Sequence, residues 1–350
     1  MLAPAVRGAD PRAFAMVMAT GIVSAALRQA ASPPLSAALL WVASAAFVVL
    51  VAASVWRAAA FPADVRRDLA RPDRVFSFFA VPAAASVLAA RLAGPGQHDV
   101  VAALTAFTAL AWVAACCVVL AFLARPGRPG PRRAIADVNG TWELWVVGTQ
   151  SASIAATSAY AAGVVPDRLA AWAGLIVWSA GAVLYVVVTS LVITRLVKAG
   201  LPPGDPFAPY WVTMGAASIT VLAAAQFLHV TGPAVLSGPR PAVTDIALAF
   251  WAVATGLIPV LAATGAVRWL RGHALRGFRR ELWMIVFPVG MYATASMRIG
   301  AEAGLPPVRE LGTAAVWVAA AVWAAVFAAM VAWPIARWRS ARGPHPADRK

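Results

Sequence analysis

The sequence predicts an all-α polytopic membrane protein. It forms a single domain over 1–350, with ten transmembrane helices in five helical hairpins between 13 and 336 and a short tail at 337–350. Three observations predict this. The 350 residues are 61% hydrophobic and 12% charged, with mean hydropathy +0.76, more apolar surface than a soluble domain can hide from water. The apolar residues fall into ten runs of about 18–26 residues, each enough to cross about 30 Å of hydrocarbon. Of the 29 Lys and Arg, 23 lie in the segments that share a side with the N-terminus and 6 on the other. That asymmetry places both termini in the cytoplasm and requires an even number of spans.

In chain order the spans are 13–31, 35–56, 75–92, 100–124, 141–163, 169–194, 208–230, 245–267, 282–300 and 311–336. The first could pass for a signal peptide, but nine more spans argue for a retained helix. The second places Trp41 and Trp56 about 22 Å apart along the axis, the spacing of two interfacial belts. The odd spans share a pattern: aromatic residues near the start, then Gly or Pro. Phe14 precedes Gly21, and Phe76, Phe78 and Phe79 precede Pro82. Trp142 and Trp145 precede Gly148, and Tyr210 and Trp211 precede Gly215. Trp283 and Phe287 lead into Pro288 and Gly290. The even spans are mostly plainer runs of Ala, Val, Leu and Trp, although the eighth carries Gly256 and Pro259. The pattern predicts two rings, odd helices inside and even helices against lipid. A membrane proline frees a backbone carbonyl that lipid cannot satisfy, so these positions suit a pore wall or a helix interface. Close packing in membranes is the competing reading of the same residues.

Several function classes are excluded by what the spans lack. Their interiors read as essentially free of Asp, Glu, Lys, Arg and His; Glu143 stands at the cytoplasmic start of the fifth and His229 at the far end of the seventh. No intramembrane carboxylate for ion coupling is visible, and nothing points to an enzyme, a cofactor or a metal centre. Cys116 and Cys117 are adjacent in one helix and read as packing residues. The net charge of +15 is explained by topology, so no nucleic-acid partner is implied. The tail reads as a solvated end whose arginines anchor at lipid headgroups.

A conduit without acidic walls suits anions, drawn in by basic residues at its mouths. On the ninth span Phe287, Met291, Thr294 and Arg298 share one helical face. If that face lines a pore, the Phe287 ring lies deep in it and Arg298 near the external mouth. The alternatives are interhelical packing for Phe287 and snorkelling to headgroups for Arg298.

Three stretches, FAMVMATGIVS at 14–24, PYWVTMGAASIT at 209–220 and WMIVFPVGMYATASMRIG at 283–300, resemble the tellurite-resistance/dicarboxylate transporter family. That family includes bacterial TehA proteins, plant slow anion channels and fungal malate and sulfite transporters. The resemblance implies five hairpins in pseudo-fivefold arrangement around a central pore, in homotrimers of the cell inner membrane. It also implies a pore-occluding phenylalanine on the ninth helix, which matches Phe287. Pro288 and Gly290 would let that ring project as a gate, with Gly21, Pro82, Gly148 and Gly215 at kinks of the lining. Candidate substrates are C4-dicarboxylates such as malate, sulfite, chloride and nitrate. No arginine inside a span is placed to grip a dicarboxylate, which favours a weakly selective channel. A proton-coupled dicarboxylate or sulfite transporter is the second reading, and a non-transporting membrane sensor or scaffold the third.

Overall fold

The structure, a computed structural model, describes residues 6–8, 10–30, 32–94, 96–125, 135–201, 206–230, 238–272 and 278–341. The tail arginines from Arg342 on, His273 and His345 lie outside the described residues. Eleven α-helices are described, with no strand among the described residues. They are α1 (Phe14–Gln29), α2 (Pro33–Ala60), α3 (Pro62–Leu69), α4 (Ala80–Leu92), α5 (His98–Leu123), α6 (Glu143–Ala161), α7 (Asp167–Ala199), α8 (Trp211–Val230), α9 (Arg240–Leu270), α10 (Trp283–Glu302) and α11 (Pro306–Ala341).

Eight of the helices, some counted with the short turn that leads into them, are long and apolar enough to cross a membrane. The other two long ones, α1 and α6, both lie inside. The first has 16 residues. The second buries Thr149, Gln150, Ser151, Ser153, Thr157 and Ser158, which dilute its apolarity. Only α3 falls where the sequence reads as a loop. It is an eight-residue amphipathic helix, and it is latched down by its acids. Asp68 accepts from Arg57 Nη2 at 2.7 Å and from Arg74 Nη1 at 2.7 Å, and Asp64 pairs with Arg7 and Arg67.

Each inner helix packs against the outer helix that follows it, and the inner helices also touch one another. The contacts run α1 to α4, α4 to α6, α6 to α8, α8 to α10, and α10 back to α1. Each inner helix opens with a 3₁₀ turn: Pro11–Ala13, Val75–Phe79, Gly140–Trp142, Ala208–Tyr210 and Arg280–Leu282. These turns touch in the same order and close the same circuit, forming a collar at one end. Asp10 and Asn139 cap two of them, each accepting from the backbone N–H two residues on.

Burial separates the two layers. In the three inner spans among these eight, between 72% and 89% of the most apolar stretch is buried, against 11% to 28% in the five outer ones. The outer faces carry exposed Trp41, Leu110, Val183 and Val197 in a chain with an apolar membrane composition, as lipid-facing surface requires.

Two recurring devices join neighbours. The first is glycine. A Cβ on Gly21 would lie 2.7 Å from Val87, on Gly148 2.5 Å from Phe79, on Gly215 2.9 Å from Pro288, and on Gly290 2.9 Å from Ile22. At the fifth interface, a Cβ on Gly140 would meet the Pro209 backbone at 2.4 Å. Absent side chains thus let inner helices approach closely, the usual role of small residues in membranes. The second is tryptophan. An indole N–H on an outer helix bonds the next hairpin's inner helix: Trp112 to Thr149 Oγ1, Trp178 to the Thr220 carbonyl and Trp251 to Ser296 Oγ. Trp323 on α11 then bonds Thr20 Oγ1 on α1 at 3.0 Å, joining the last hairpin to the first.

Candidate functional site: an axial cavity with an arginine mouth

A cavity of about 50 Å³ lies inside the ring, and every inner helix contributes to its wall: Ile22, Val87, Ile154, Leu222 and Met291. Its polar groups are Gln29, Gln226, Thr294 and Arg298. Gln226 donates to Ser158 Oγ at 2.9 Å and Thr294 to the Gly290 carbonyl at 3.0 Å. The cavity shares Arg298 and Gln29 with a wider one of about 310 Å³, which is also lined by Arg28 and Arg91. The Arg91 guanidinium is held by Ser36 Oγ at 2.9 Å and Ser24 Oγ at 3.2 Å, and Arg28 donates to the Arg91 carbonyl. Arg28 acts electrostatically on both Arg91 and Arg298, and three cations from three inner helices share one opening. Glu302, bonded to His229 at 2.8 Å, is the carboxylate near Arg298. This changes one expectation. Separately each arginine reads as a helix-end residue, but the fold gathers three around a single space.

Met291, Thr294 and Arg298 line these cavities, and Phe287 occupies the same face of α10 one turn deeper, about 6 Å along the axis. Its side chain is 1% exposed. A Cβ on Gly215 would lie 3.3 Å from its ring, so α8 comes up against one edge of it. By the same helical spacing the residues at this depth are Met18, Ala83, Gln150 and Ser218, all buried and all smaller than phenylalanine.

The remaining predicted site residues take other places. Helix α10 runs uninterrupted through Pro288. Pro82 is the third residue of α4, where a missing N–H costs little. At Gly21, Gly148, Gly215 and Gly290 the missing Cβ atoms make room for neighbouring inner helices.

At the collar a second cavity, of about 330 Å³, is lined by Arg12, Arg195, Arg279, Asp73, Glu281, Thr141 and Tyr210 among others. Its cations are engaged: Arg12 with Asp10 and Glu281, and Arg279 with Glu281 at 3.7 Å. Burial alone would push the Asp10 carboxyl up, but the Arg12 guanidinium overrides it and holds Asp10 below the usual carboxylate range. Beside this cavity sits Glu143, at the helix start where the sequence places it but with a burial the sequence did not reveal. Glu143 is 0% exposed, enclosed between α6, α7 and α8. At the first position of a helix it reads as an interfacial residue. Its burial follows from the 33-residue length of α7, which carries Thr189 past the start of α6.

A closed circuit of buried helices, an outer layer of lipid-facing ones and a basic axial cavity define a multi-pass membrane protein of the channel and transporter class. The sequence comparison agrees: the profile of the voltage-dependent anion channel family matches residues 9–331, and the chain belongs to that family. Two relatives from Mycobacterium tuberculosis are the "Uncharacterized membrane protein MT1776" of strain CDC 1551 / Oshkosh and the "Uncharacterized membrane protein Rv1735c" of strain H37Rv. Each is 39% identical over 148 residues, covering 42% of this chain and 75% of the relative.

Proposed function

We propose that this protein conducts small anions through the axis of its inner ring, with Phe287 as the gate. The axial cavity carries the reading: all five inner helices wall it, Arg28, Arg91 and Arg298 ring its mouth, and Phe287 lies one turn below its lining. Three guanidiniums at a mouth raise the local anion concentration and repel cations. A bulky apolar ring in a narrow bore blocks hydrated ions by sterics and dewetting. The ten long helices act as five hairpins in pseudo-fivefold arrangement. The protein sits in the plasma membrane with both termini cytoplasmic, as a homotrimer with one pore per protomer. The collar is then the cytoplasmic end and the arginine mouth the external one. Chloride, nitrate, sulfite and malate are the candidate substrates.

The test is anion flux into proteoliposomes of purified protein under clamped voltage, with these four anions compared. Voltage-driven flux that discriminates among anions and excludes potassium supports the reading. No flux of any anion from a folded preparation would contradict it. A coupled dicarboxylate or sulfite transporter is favoured by one observation, the buried carboxyl of Glu143. It predicts that a pH gradient drives accumulation at zero voltage.

A further inference from the structure

We infer that Glu143 is a proton-binding site within the membrane domain, and that its protonation sets how readily anions pass the collar. The inference adds a regulatory ligand, the proton, to the pathway proposed above, and its effect on flux rests on that reading. Three observations carry it. The side chain is 0% exposed. Thr189 Oγ1 donates to Oε1 at 2.8 Å, while Oε2 is buried with no hydrogen-bond partner. No ion pair found among the described residues includes Glu143, and the polar neighbours acting on it are the hydroxyls of Thr189 and Thr213.

A carboxylate in such a place loses its hydration and gains no counter-ion, at a cost of several kcal/mol. The protonated acid avoids that cost. Oε1, already accepting from Thr189, is then the carbonyl oxygen, and Oε2 carries the proton. Ionisation releases that proton to the collar cavity. The route is short, because Thr141, two residues away, and Tyr210, one turn before Thr213, both line that cavity.

The surrounding groups do not supply an alternative. From α7, Tyr185 faces the carboxyl. Arg195, six residues beyond Thr189, is turned to the Gly200 carbonyl. Tyr210 stands in the turn before α8. The titratable group that α5 offers to α6 is Cys116, which is influenced by Trp145. The α4 face and its preceding turn, Val75–Phe79, bring Phe and Ser. The charges of the collar cavity, Arg12, Asp73, Arg279 and Glu281, come from the neighbouring turns and loops.

An ionised Glu143 would add a negative charge beside the anion path. At about 10 Å and an effective dielectric of about 20, one such charge slows anion entry roughly tenfold. Flux should therefore be high when Glu143 is protonated and fall as pH rises.

Infrared difference spectroscopy of the full-length protein in lipid, wild type against Glu143→Gln, tests the site without needing transport. At neutral pH the wild type should show the carbonyl stretch of a protonated carboxylic acid, lost in E143Q and abolished in the wild type at alkaline pH. Thr189→Val, which keeps the carboxyl, should move that band to higher frequency by removing the Thr189 bond. Flux measured alongside should fall roughly tenfold over the pH range in which the band disappears, and E143Q should stay at the higher rate throughout. A featureless difference in the acid carbonyl region at neutral pH overturns the proton site. A band with flux of identical pH profile in wild type and E143Q overturns its control of passage. If neither protein passes anions, the conduction reading fails while the infrared result still decides the site.

Discussion

At the scale of single residues, Phe287, Gly215 and the mouth arginines are the positions on which the proposed pathway turns. Gly215 leaves the space that the Phe287 ring and Pro288 occupy. Gly215→Ala puts a methyl 2.9 Å from Pro288, which lies on a fixed ring and cannot swing away. The variant should be destabilised by about 1–3 kcal/mol, the usual cost of overpacking, read as a lowered thermal midpoint in detergent. An unchanged midpoint would show that α8 and α10 separate easily there. Arg298→Gln removes one of three like charges at the mouth. Anion flux at low ionic strength should fall severalfold, and the difference from wild type should shrink near 1 M salt, where screening acts within about 3 Å. Equal flux at low salt would place Arg298 among ordinary headgroup anchors. The shared face of Phe287, Met291, Thr294 and Arg298 was legible in the sequence because helical periodicity is local. That Arg28 and Arg91 meet Arg298 was not, since it depends on how α1, α4 and α10 are arranged around one axis.

At the scale of elements, the inner helices are held at their ends by polar contacts and along their lengths by close packing. Asp68 ties α2 to the segment leading into α4 through Arg57 and Arg74, with Asp68 and Arg57 side chains only 5% and 9% exposed. Asp68→Asn removes the carboxylate paired with buried Arg57 and leaves Arg74 only the more distant Asp73, 4.0 Å away, and should cost about 3–5 kcal/mol in unfolding experiments. A loss under 1 kcal/mol would mean that water replaces the carboxylate. Asp10 supplies a pH dependence to the same end. Its folded pKa is depressed by Arg12, so its contribution is present above the ordinary carboxylate value of 3.8 and is lost as pH falls through the lower, folded value. The acid limb of stability should therefore flatten in Asp10→Asn. Helix positions could be read because apolar run length is set by bilayer thickness. The ends could not, because Pro33–Ala60 and Asp167–Ala199 continue beyond the apolar runs into polar sequence. Pro82 stands near a helix start because the α-helix proper begins only at Ala80, after a 3₁₀ turn that sequence does not announce.

For the whole molecule, the closure of the ring is the property on which the proposed conduction depends. The indole of Trp323 on the last hairpin bonds Thr20 on the first, while the collar turns close their own circuit at one end. The two-ring reading came from the alternation of aromatic and small residues in odd spans, and that alternation was local enough to see. The tryptophan stitching was not visible, since each bond joins helices about 40 to 300 residues apart. Trp323→Phe keeps the ring packing and removes one hydrogen bond, so it should cost about 1 kcal/mol. The central claim is that this ring encloses a pathway stopped by one side chain. The most direct measurement is anion flux through Phe287→Ala against wild type, in proteoliposomes at matched protein density and clamped voltage. The account predicts that the variant, equally folded, conducts chloride and nitrate several times faster than wild type. Equal flux in the two proteins would contradict it, and would place the ring of Phe287 among the packing contacts between α8 and α10.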